Sequence, residues 1–511
     1  MVGDRIAAIQ FAAVASPCTI AEICMSAQPS PYLATLASFT PAMILRQANA
    51  GAGNVVEASQ ERFEAAVLFV DVAGFTALTE ALAARGAAGA EDLTALLNTY
   101  FGQIIDAVMD RGGDIVKFAG DALIALWPAG AAGSLADQTL RVVDCALGMQ
   151  ARLNDYEVAE GFRLRVKLAI GAGEVLAERL GGVYDRWELL IAGDALRQIG
   201  VGNDHAKPGD VIISMEARAL IADRIKGEEV PDGARRVQRL IGRPPIALPA
   251  AVPAPEPAAG PALRAFIPAA VRTRLEADQL AWLGELRRVS VLFVNLPDFN
   301  VATSLDRAQE AMRAVQMALY RFEGSINKMS VDDKGASLIA VFGLPPLAHG
   351  DDPERAVRAA VATRAALAGL GFRAWIGVTT GTAFCGAVGN GRRREYTIMG
   401  DVVNLSARLM QAAGGGKAGR PVEGGILCDG TTWAAAVTRL GFETLAPIKV
   451  KGKAAPIEIH RPVPQLRPAP DAAPGRHRIR IVGRDSERRQ IVKLLERLST
   501  ERKPQRMLVL G

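Results

Sequence analysis

Two stretches of this chain, roughly residues 60–235 and 281–462, carry the same domain sequence in diverged form. The first copy opens with Leu68-Phe69-Val70-Asp71, and the second opens with Leu292-Phe293-Val294-Asn295, so an aspartate in one is an asparagine in the other. The second copy carries the run YTIMGDVVNLSAR at 396–408, and its asparagine and final arginine are lost from the first copy. Each copy keeps side chains that the other lacks. The sequence therefore predicts one composite site at the interface of a pseudo-symmetric pair.

Composition limits the classes of function. Half of the 511 residues are hydrophobic and 22% are charged, which is typical of a globular chain. Residues 449–511 hold 16 Lys/Arg against 6 Asp/Glu, so the net charge of +5 comes from this tail, and the repeats are mildly acidic. An acidic pair of domains argues against nucleic-acid binding.

The cysteine count and the apolar segments indicate the compartment. Five cysteines, an odd number, and four histidines show no zinc-ligand spacing, which predicts a reducing, cytoplasmic environment. The most apolar N-terminal stretch, residues 6–25, is interrupted by Gln10, Pro17 and Glu22, so no membrane span is expected.

Two Pro/Ala-rich stretches divide the chain, the longer being RPPIALPAAVPAPEPAAGPAL at 243–263, which is predicted to be a semi-rigid linker unable to fold alone. The predicted organisation is an N-terminal segment 1–39, a first domain 40–242, the linker 243–263, a second domain 264–462, and a segment 463–511. The last segment is expected to be a linker followed by residues 481–511, which resemble the start of a signalling ATPase module. This start is expected to be truncated, because no phosphate-binding loop follows its predicted strand 506–511.

Within each copy the periodicity runs strand, helix, hairpin, helix, strand, which predicts an α+β domain of the split βαβ kind. In the first copy the predicted strands and helices are 65–70, 90–111, 114–118, 122–127, 136–153 and 163–170. In the second copy the predicted strands are 289–294, 338–342 and 373–378.

Two carboxylates suit a metal site. Asp71 ends a predicted strand and Asp121 lies in a predicted hairpin turn, so both can project from one edge of the sheet. Such a pair can hold two divalent cations about 3.5–4 Å apart, the geometry used for in-line attack on phosphorus. The backbone carbonyl of Val72 can add a ligand. The alternative makes Asp71 a helix N-cap and Asp121 a turn residue, but the matched loss at Asn295 favours metal.

Asn404 and Arg408 lie four residues apart in a helical pattern, so they share one face. The amide can orient a sugar oxygen, and the guanidinium can stabilise charge that develops on a phosphoryl group. The alternative is an ordinary polar residue and a surface arginine. The first copy has Arg197 and Val201 at these positions, so that half has lost the function.

Lys328 and Thr397 can contact a base edge, because lysine donates hydrogen bonds and a threonine hydroxyl both donates and accepts. Adenine offers N1 as an acceptor and its N6 amino group as a donor, which suits this pair. Lys451 is placed to meet a triphosphate. The alternatives are a surface lysine, a strand threonine and an ordinary basic turn.

These motifs, in the same order across both copies, resemble the class III nucleotidyl cyclases, specifically the soluble, bicarbonate-responsive adenylyl cyclases, over about residues 40–462. The resemblance implies two tandem ferredoxin-like, palm-type domains that form a pseudo-symmetric intramolecular dimer, so a monomer suffices. It implies roles for six side chains: Asp71 and Asp121 bind two Mg²⁺ or Mn²⁺ ions, Lys328 and Thr397 take adenine, Asn404 orients the ribose, and Arg408 stabilises the transition state. Guanylyl cyclases would have Glu and Cys at the two base-reading positions.

The implied activity is conversion of ATP into 3′,5′-cyclic AMP and pyrophosphate, by in-line attack of the ribose 3′-hydroxyl on the α-phosphorus. The resemblance also suggests that bicarbonate binds beside Lys117, in a pocket lined by Ile191 and Val331. The arginine expected from the first domain is Gly200 here, which departs from the family pattern.

Two other functions stay open. One is a catalytically silent cyclase-like module that senses nucleotide or bicarbonate and relays it to the ATPase region. The other is a cyclic-dinucleotide synthase, to which the run Gly112-Gly113-Asp114 bears only a superficial likeness because Ile115 and Val116 follow it.

Overall fold

The structure is a computed structural model. It describes residues 30–51, 56–83, 85–243, 252–276, 284–332, 334–415, 421–422, 424–450, 453 and 455–466, with residues 486, 490, 493 and 494. Lys451 and most of the predicted ATPase-like start lie outside the described residues. No helix in the described part of the chain is long and apolar enough to cross a membrane.

The first half of the chain has two N-terminal helices followed by a mixed domain. Its elements are α1 Pro31–Ser38, α2 Ala42–Ala50, β1 Ser59–Ala73, α3 Phe75–Ala83, α4 Gly86–Met109, β2 Asp114–Ala119, β3 Ala122–Pro128, α5 Leu135–Leu153, β4 Tyr156–Ala159, β5 Phe162–Val183, β6 Arg186–Ala192, α6 Asp194–His205, β7 Val211–Ile213, α7 Met215–Ala219, β8 Ile225–Glu229 and β9 Arg235–Leu240.

Two short helices lead into a second mixed domain. The elements are α8 Gly260–Ala265, α9 Ala269–Glu276, β10 Glu285–Leu296, α10 Leu305–Tyr320, β11 Ser325–Asp332, β12 Gly335–Phe342, α11 Asp352–Gly369, β13 Trp375–Gly389, β14 Arg394–Met399, α12 Asp401–Ala413, β15 Ile426–Asp429, α13 Gly430–Ala436, β16 Leu440–Ile448 and β17 Ile457–Leu466.

The two sheets have the same topology, which confirms the duplication and the α+β fold class. The strand order is β2-β3-β1-β5-β7-β9-β8 in the first domain and β11-β12-β10-β13-β15-β17-β16 in the second. In both, the first long strand lies between two antiparallel neighbours, and a hairpin partner, β6 or β14, pairs with the end of the longest strand. Equivalent positions can therefore be matched strand by strand.

The longest strands extend well past their predicted ends. The prediction stopped at residue 170, yet β5 continues to Val183, and β13 continues to Gly389 rather than stopping at 378. Gly171 and Gly173 interrupt the apolar pattern in β5, which is why periodicity ended the strand early. The added halves form hairpin arms with β6 and β14.

Each hairpin arm docks on the other domain. The backbone N–H of Val183 donates to Gln316 Oε1 of α10 at 3.1 Å, and Gln316 Nε2 donates to the carbonyl of Arg186 at 2.9 Å. At the other arm, the N–H of Gly389 donates to Asn98 Oδ1 of α4 at 3.0 Å. These reciprocal contacts form the pseudo-symmetric pair within one chain.

Buried side chains from the two domains share cores. One cluster joins α1, α2, α8 and α9 to strands of both sheets, and another packs Leu176, Leu180 and Leu190 of the first domain against the second. Burial of such apolar area is the main favourable term in folding. The domain interface is therefore continuous with the hydrophobic interior.

Helices occur in the described parts of both boundary segments. Helix α8 lies at the end of the stretch 243–263 that was predicted not to fold alone, and its Leu263 is fully buried. Proline near its first turn suits a helix start. Helix α1 begins at Pro31, within the segment 1–39.

Asp114 has a structural role. Its carboxylate accepts from the backbone N–H groups of Ala42 and Met43, at 2.8 and 2.7 Å, and so caps the start of α2. A Cβ at Gly113 would lie 2.5 Å from the Trp127 ring, which explains the glycine before it. The run Gly112-Gly113-Asp114 thus serves packing and capping, which argues against the dinucleotide-synthase alternative.

Candidate active site

Asp71 and Asp121 leave the first sheet at the same edge. Asp71 pairs with Ala122 in the β1–β3 register, and Asp121 directly precedes Ala122 in the turn. Gly120 takes a φ of +72°, a conformation that favours glycine, and the N–H of Val72 donates to the carbonyl of Asp121 at 3.2 Å. The predicted pair of carboxylates is therefore brought together.

Burial acts against the charge on both carboxylates. It raises the pKa of Asp121 to about 6, and the nearby charge of Asp71 adds to that rise. Burial likewise raises the pKa of Asp71, although Lys167, whose Nζ lies 3.7 Å from Asp71 Oδ2, opposes it. A divalent cation bound between these two half-buried carboxylates would offset their mutual repulsion.

The carboxylate pair fits divalent cations that keep open coordination positions. Among the described residues no group of three or more His, Cys, Asp or Glu side chains is arranged to hold a metal. Asp71 and Asp121, with backbone carbonyls such as that of Val72, supply only part of a shell, which suits Mg²⁺ or Mn²⁺ shared with substrate phosphates.

Lys328 and Thr397 lie together inside the second domain. Lys328 Nζ donates to Thr397 Oγ1 at 2.7 Å, and the two residues are 5% and 0% exposed. A bulge at Asn327 shifts the β11–β12 register just before the lysine, and the same bulge at Val116 precedes Lys117 in the first domain. Burial lowers the pKa of Lys328 to about 8, while Glu395 opposes that change.

The strands that lead to the two predicted half-sites lie against each other. The backbone N–H of Phe118 in β2 donates to Glu395 Oε2 in β14 at 3.3 Å, so the strand that precedes Asp121 contacts the strand that carries Thr397. The charge of Lys328 opposes the rise in the pKa of Asp121. A composite site between the two domains stays the central prediction from the sequence.

Asn404 and Arg408 lie on the face of α12 that does not pack on the sheet. Leu405 and Leu409 are buried, whereas Asn404 is exposed and Arg408 is half-buried. Gly377 lets α12 pack closely on β13, because a Cβ at this position would lie 2.0 Å from the carbonyl oxygen of Ser406. Lys453, two positions after the predicted phosphate-binding Lys451 in the sequence, has its Nζ 2.6 Å from Asp401 Oδ2.

Lys117 lies among charged groups from both domains. Burial is the largest effect on its pKa and lowers it, whereas Glu395 and Glu188 oppose the change. Lys117 lines a cavity of about 60 Å³ with Arg186, Arg393 and other residues. Neither Ile191 nor Val331, which are both 8% exposed, lines this cavity.

Sequence reasoning missed a repeated buried ion pair. Arg186 lies 2.9 Å from Glu188, and Arg393 lies 3.1 Å from Glu395. The signal was present, since Arg-x-Glu occurs at matched positions in the hairpin partners β6 and β14. Lys167 was also missed, because its approach to Asp71 depends on the β1–β5 register.

The duplicated α+β fold is that of a tandem pair of class III cyclase domains. The family model for the "Adenylate and Guanylate cyclase catalytic domain" matches residues 57–229 and again 284–454. The chain therefore belongs to this family and contains its domain twice. Both matches fall inside the domain limits predicted from composition.

Curated relatives are similar over most of this chain. Adenylate cyclase type 10 of Oryctolagus cuniculus is 32% identical over 388 residues, which are 69% of this chain and 24% of the relative. That of Rattus norvegicus is 31% identical over 440 residues, which are 78% of this chain and 26% of the relative. The chain thus spans about a quarter of the length of these relatives.

One solved structure shares the two-domain fold. A class III adenylyl cyclase-like ATP-binding protein from Pseudomonas aeruginosa superimposes with a TM-score of 0.51 at 15% identity, over 77% of this chain and 92% of the other. At this identity the likeness concerns the fold alone.

Proposed function

We propose that the chain is an adenylyl cyclase that converts ATP into 3′,5′-cyclic AMP and pyrophosphate. The observation that carries this proposal is the contact between β2, which precedes Asp121, and β14, which carries Thr397: the N–H of Phe118 donates to Glu395 Oε2 at 3.3 Å. Metal-binding and base-reading groups from two domains are then within reach of one nucleotide. The similarity to adenylate cyclase type 10 supports the same activity.

Base selection is assigned to Lys328 and Thr397. In the structure the lysine donates to the threonine hydroxyl at 2.7 Å, so both groups are already oriented in a buried site. With ATP bound, Lys328 donates to adenine N1, and the Thr397 hydroxyl accepts from the N6 amino group. Guanine would place an N–H donor against the lysine, which selects ATP over GTP.

The reaction joins the ribose 3′-oxygen to the α-phosphorus and breaks the bond between that phosphorus and the bridging oxygen. The 3′-hydroxyl loses its proton, and pyrophosphate leaves with the electron pair of the broken bond. Two Mg²⁺ or Mn²⁺ ions held by Asp71, Asp121 and the Val72 carbonyl would acidify the hydroxyl and neutralise phosphate charge. Catalysis otherwise rests on positioning and charge stabilisation.

Three side chains of the second domain act on the sugar and the phosphates. Asn404 orients the ribose, and Arg408, one helical turn away, stabilises charge that develops on the α-phosphoryl group. Their shared position on the outer face of α12 supports these roles. Lys451 binds the triphosphate, with Lys453 held nearby by Asp401.

Bicarbonate is the proposed effector, bound beside Lys117. Ile191 of β6 and Val331 of β11 were predicted to line the pocket, but they lie outside the small cavity at Lys117. The buried cations Arg186 and Arg393 add positive charge near Lys117, which supports an anion site. Each arginine is paired with a glutamate, so the bound anion would compete with Glu188 or Glu395 for these cations.

A second candidate function is nucleotide binding without turnover. The observation that favours it is Lys167, whose ammonium group lies 3.7 Å from Asp71. This ammonium group balances the carboxylate charge that a bound metal would otherwise balance. In that case the module would sense nucleotide and relay its state to the segment after residue 462.

We also propose that the chain works as a monomer in a reducing, cytoplasmic environment. The two half-sites lie in one chain, so no second copy is needed to complete the site. Cys145, Cys385 and Cys428 are buried free thiols, which suits that compartment.

The test is an assay of the purified chain with ATP or GTP, Mg²⁺ or Mn²⁺, with and without bicarbonate. We expect cyclic AMP from ATP and little cyclic GMP. Asp71→Asn, which copies Asn295 of the other domain, should abolish turnover. The matched control is Asp144→Asn. It removes a carboxylate that lies 2.7 Å from Arg111 and does not belong to the proposed site. Bound ATP with no product in the native chain would favour the sensor.

A further inference from the structure

A cavity of about 200 Å³ lies at the seam between the two domains, apart from the residues assigned above to the nucleotide site. The tip of the β5–β6 hairpin, the end of α10 and the start of α9 form three of its walls. The loop Leu344–Leu347 forms a fourth. Its volume equals roughly six or seven water molecules at liquid density, enough for a single-ring organic molecule.

Among the residues that the structure describes, one positive charge of the walls has no carboxylate partner. Three charged residues line the cavity: Arg186, Arg272 and Glu323. Arg186 is paired with Glu188 at 2.9 Å, and Glu323 is paired at 2.6 Å with Arg355 and with His349. Arg272, half-exposed on α9, has no carboxylate within ion-pair distance in the part of the chain that the structure describes.

The remaining walls suit a flat apolar body. Tyr184 is 81% exposed at the hairpin tip, and its ring centroid lies 6.0 Å from that of Tyr320. An exposed aromatic residue beside a concave wall gains favourable burial when a ligand covers it. Burial raises the pKa of Tyr320, so its hydroxyl stays neutral near Arg186 and Arg272 and can donate a hydrogen bond.

We propose that this seam cavity binds a small aromatic carboxylate, with the carboxylate on Arg272 and the ring against Tyr184 and Tyr320. An anion would pair with Arg272, which has no carboxylate partner in the described part of the chain, and arginine binds carboxylates through paired N–H groups. Small-molecule sites commonly combine an apolar lining with a few polar groups in this way.

The seam cavity also has a physical connection to Lys117. Arg186 lines both this cavity and the smaller cavity beside Lys117, and its guanidinium holds Glu188. A ligand in the seam therefore contacts the arginine whose partner carboxylate faces Lys117. The site goes beyond the proposed cyclase function, and its binding test does not depend on that function.

Calorimetric titration of the native chain with benzoate and with benzamide, its neutral isostere, tests the proposal. We expect one benzoate per chain and an affinity about tenfold or more above that for benzamide. Arg272→Gln should remove this preference. Arg313→Gln, which alters an exposed arginine on α10 outside the cavity, should leave it intact. Tyr184→Ser should weaken the binding of both ligands. Tyr184 is 81% exposed, so this substitution should not unfold the chain.

Three results would overturn the assignment: no saturable benzoate binding, equal affinity for benzoate and benzamide, or unchanged benzoate affinity in the Arg272 variant. The link to Lys117 has its own readout. If the chain produces cyclic AMP, benzoate should change its rate in the native chain and not in the Arg272 variant. Benzoate binding without a change in the rate of cyclic AMP formation would contradict the connection to Lys117, but the benzoate site itself would remain supported.

Discussion

Replacing Thr397 by valine tests the base-reading pair with little change in shape. The hydroxyl that would accept from the N6 amino group of bound adenine is lost, in a buried site where Lys328 is 5% exposed. A buried donor left without its partner costs about 1–3 kcal/mol. If that cost falls on the bound nucleotide, kcat/KM for ATP drops roughly 5- to 150-fold.

The assay is the rate of cyclic AMP and cyclic GMP formation over a range of ATP and GTP concentrations. The loss should concern ATP, so the ratio of kcat/KM for ATP to that for GTP should fall by about the same factor. The change also removes the hydrogen-bond acceptor of buried Lys328 in the free chain, so the free energy of unfolding should fall by up to about 1–3 kcal/mol, and the ATP-to-GTP ratio is the diagnostic readout.

The matched control is Thr363→Val. Thr363 is fully buried in α11, and its hydroxyl has no hydrogen-bond partner among the described residues. This change should leave kcat/KM within about twofold, because it removes no bond that the nucleotide needs. If Thr397→Val also leaves ATP turnover and the ATP-to-GTP ratio unchanged, the base-reading role of the Lys328–Thr397 pair is refuted.

Three other predictions concern metal, transition state and pH. Asp121→Asn should reduce turnover at least about a hundredfold at saturating ATP, and added EDTA should abolish turnover in the native chain; cyclic AMP measured with and without excess Mn²⁺ checks both. Arg408→Ala should lower kcat by about 10²-fold or more with little change in KM, whereas an equal rise in KM alone would contradict a transition-state role. Burial raises the pKa of Glu178 from 4.5 to about 7, so the folded chain keeps a proton that the unfolded chain releases, and the free energy of unfolding falls as the pH rises from about 4.5 to 7. Glu178→Gln should therefore stabilise the chain at pH 8 by about 3 kcal/mol or less and have little effect at pH 4, as measured by denaturant unfolding; equal effects at both pH values would count against a buried charge.

The duplication made most of the fold predictable. Two copies with one order of strands and helices predicted two equivalent sheets, and the observed strand orders match position by position. The limits of β5 and β13 were wrong because glycines interrupt the apolar pattern where the strands leave the sheet. Docking of the hairpin arms was not predictable, because it depends on tertiary contacts such as those of Gln316.

The site was predictable only where chemistry and pattern coincide. Asp71 near the end of β1 and Asp121 in the β2–β3 turn stand in recognisable sequence contexts, and the structure brings them together. Lys167 could not be assigned to Asp71 without the β1–β5 register. Glu395 was missed because a single Arg-x-Glu motif looks like surface charge, and only comparison of β6 with β14 shows it twice.

The measurement that tests the composite site most directly is the stoichiometry of Mn²⁺ and of a 3′-deoxy ATP analogue bound to the purified chain. Electron paramagnetic resonance can count free Mn²⁺ at equilibrium, and the nucleotide can be counted in parallel. One nucleotide and two Mn²⁺ ions per chain, with the metals lost in Asp121→Asn and kept in Arg408→Ala, is the predicted result. Two nucleotides and four metals per chain, or metal binding that survives the loss of Asp121, would contradict a single site shared by two half-sites.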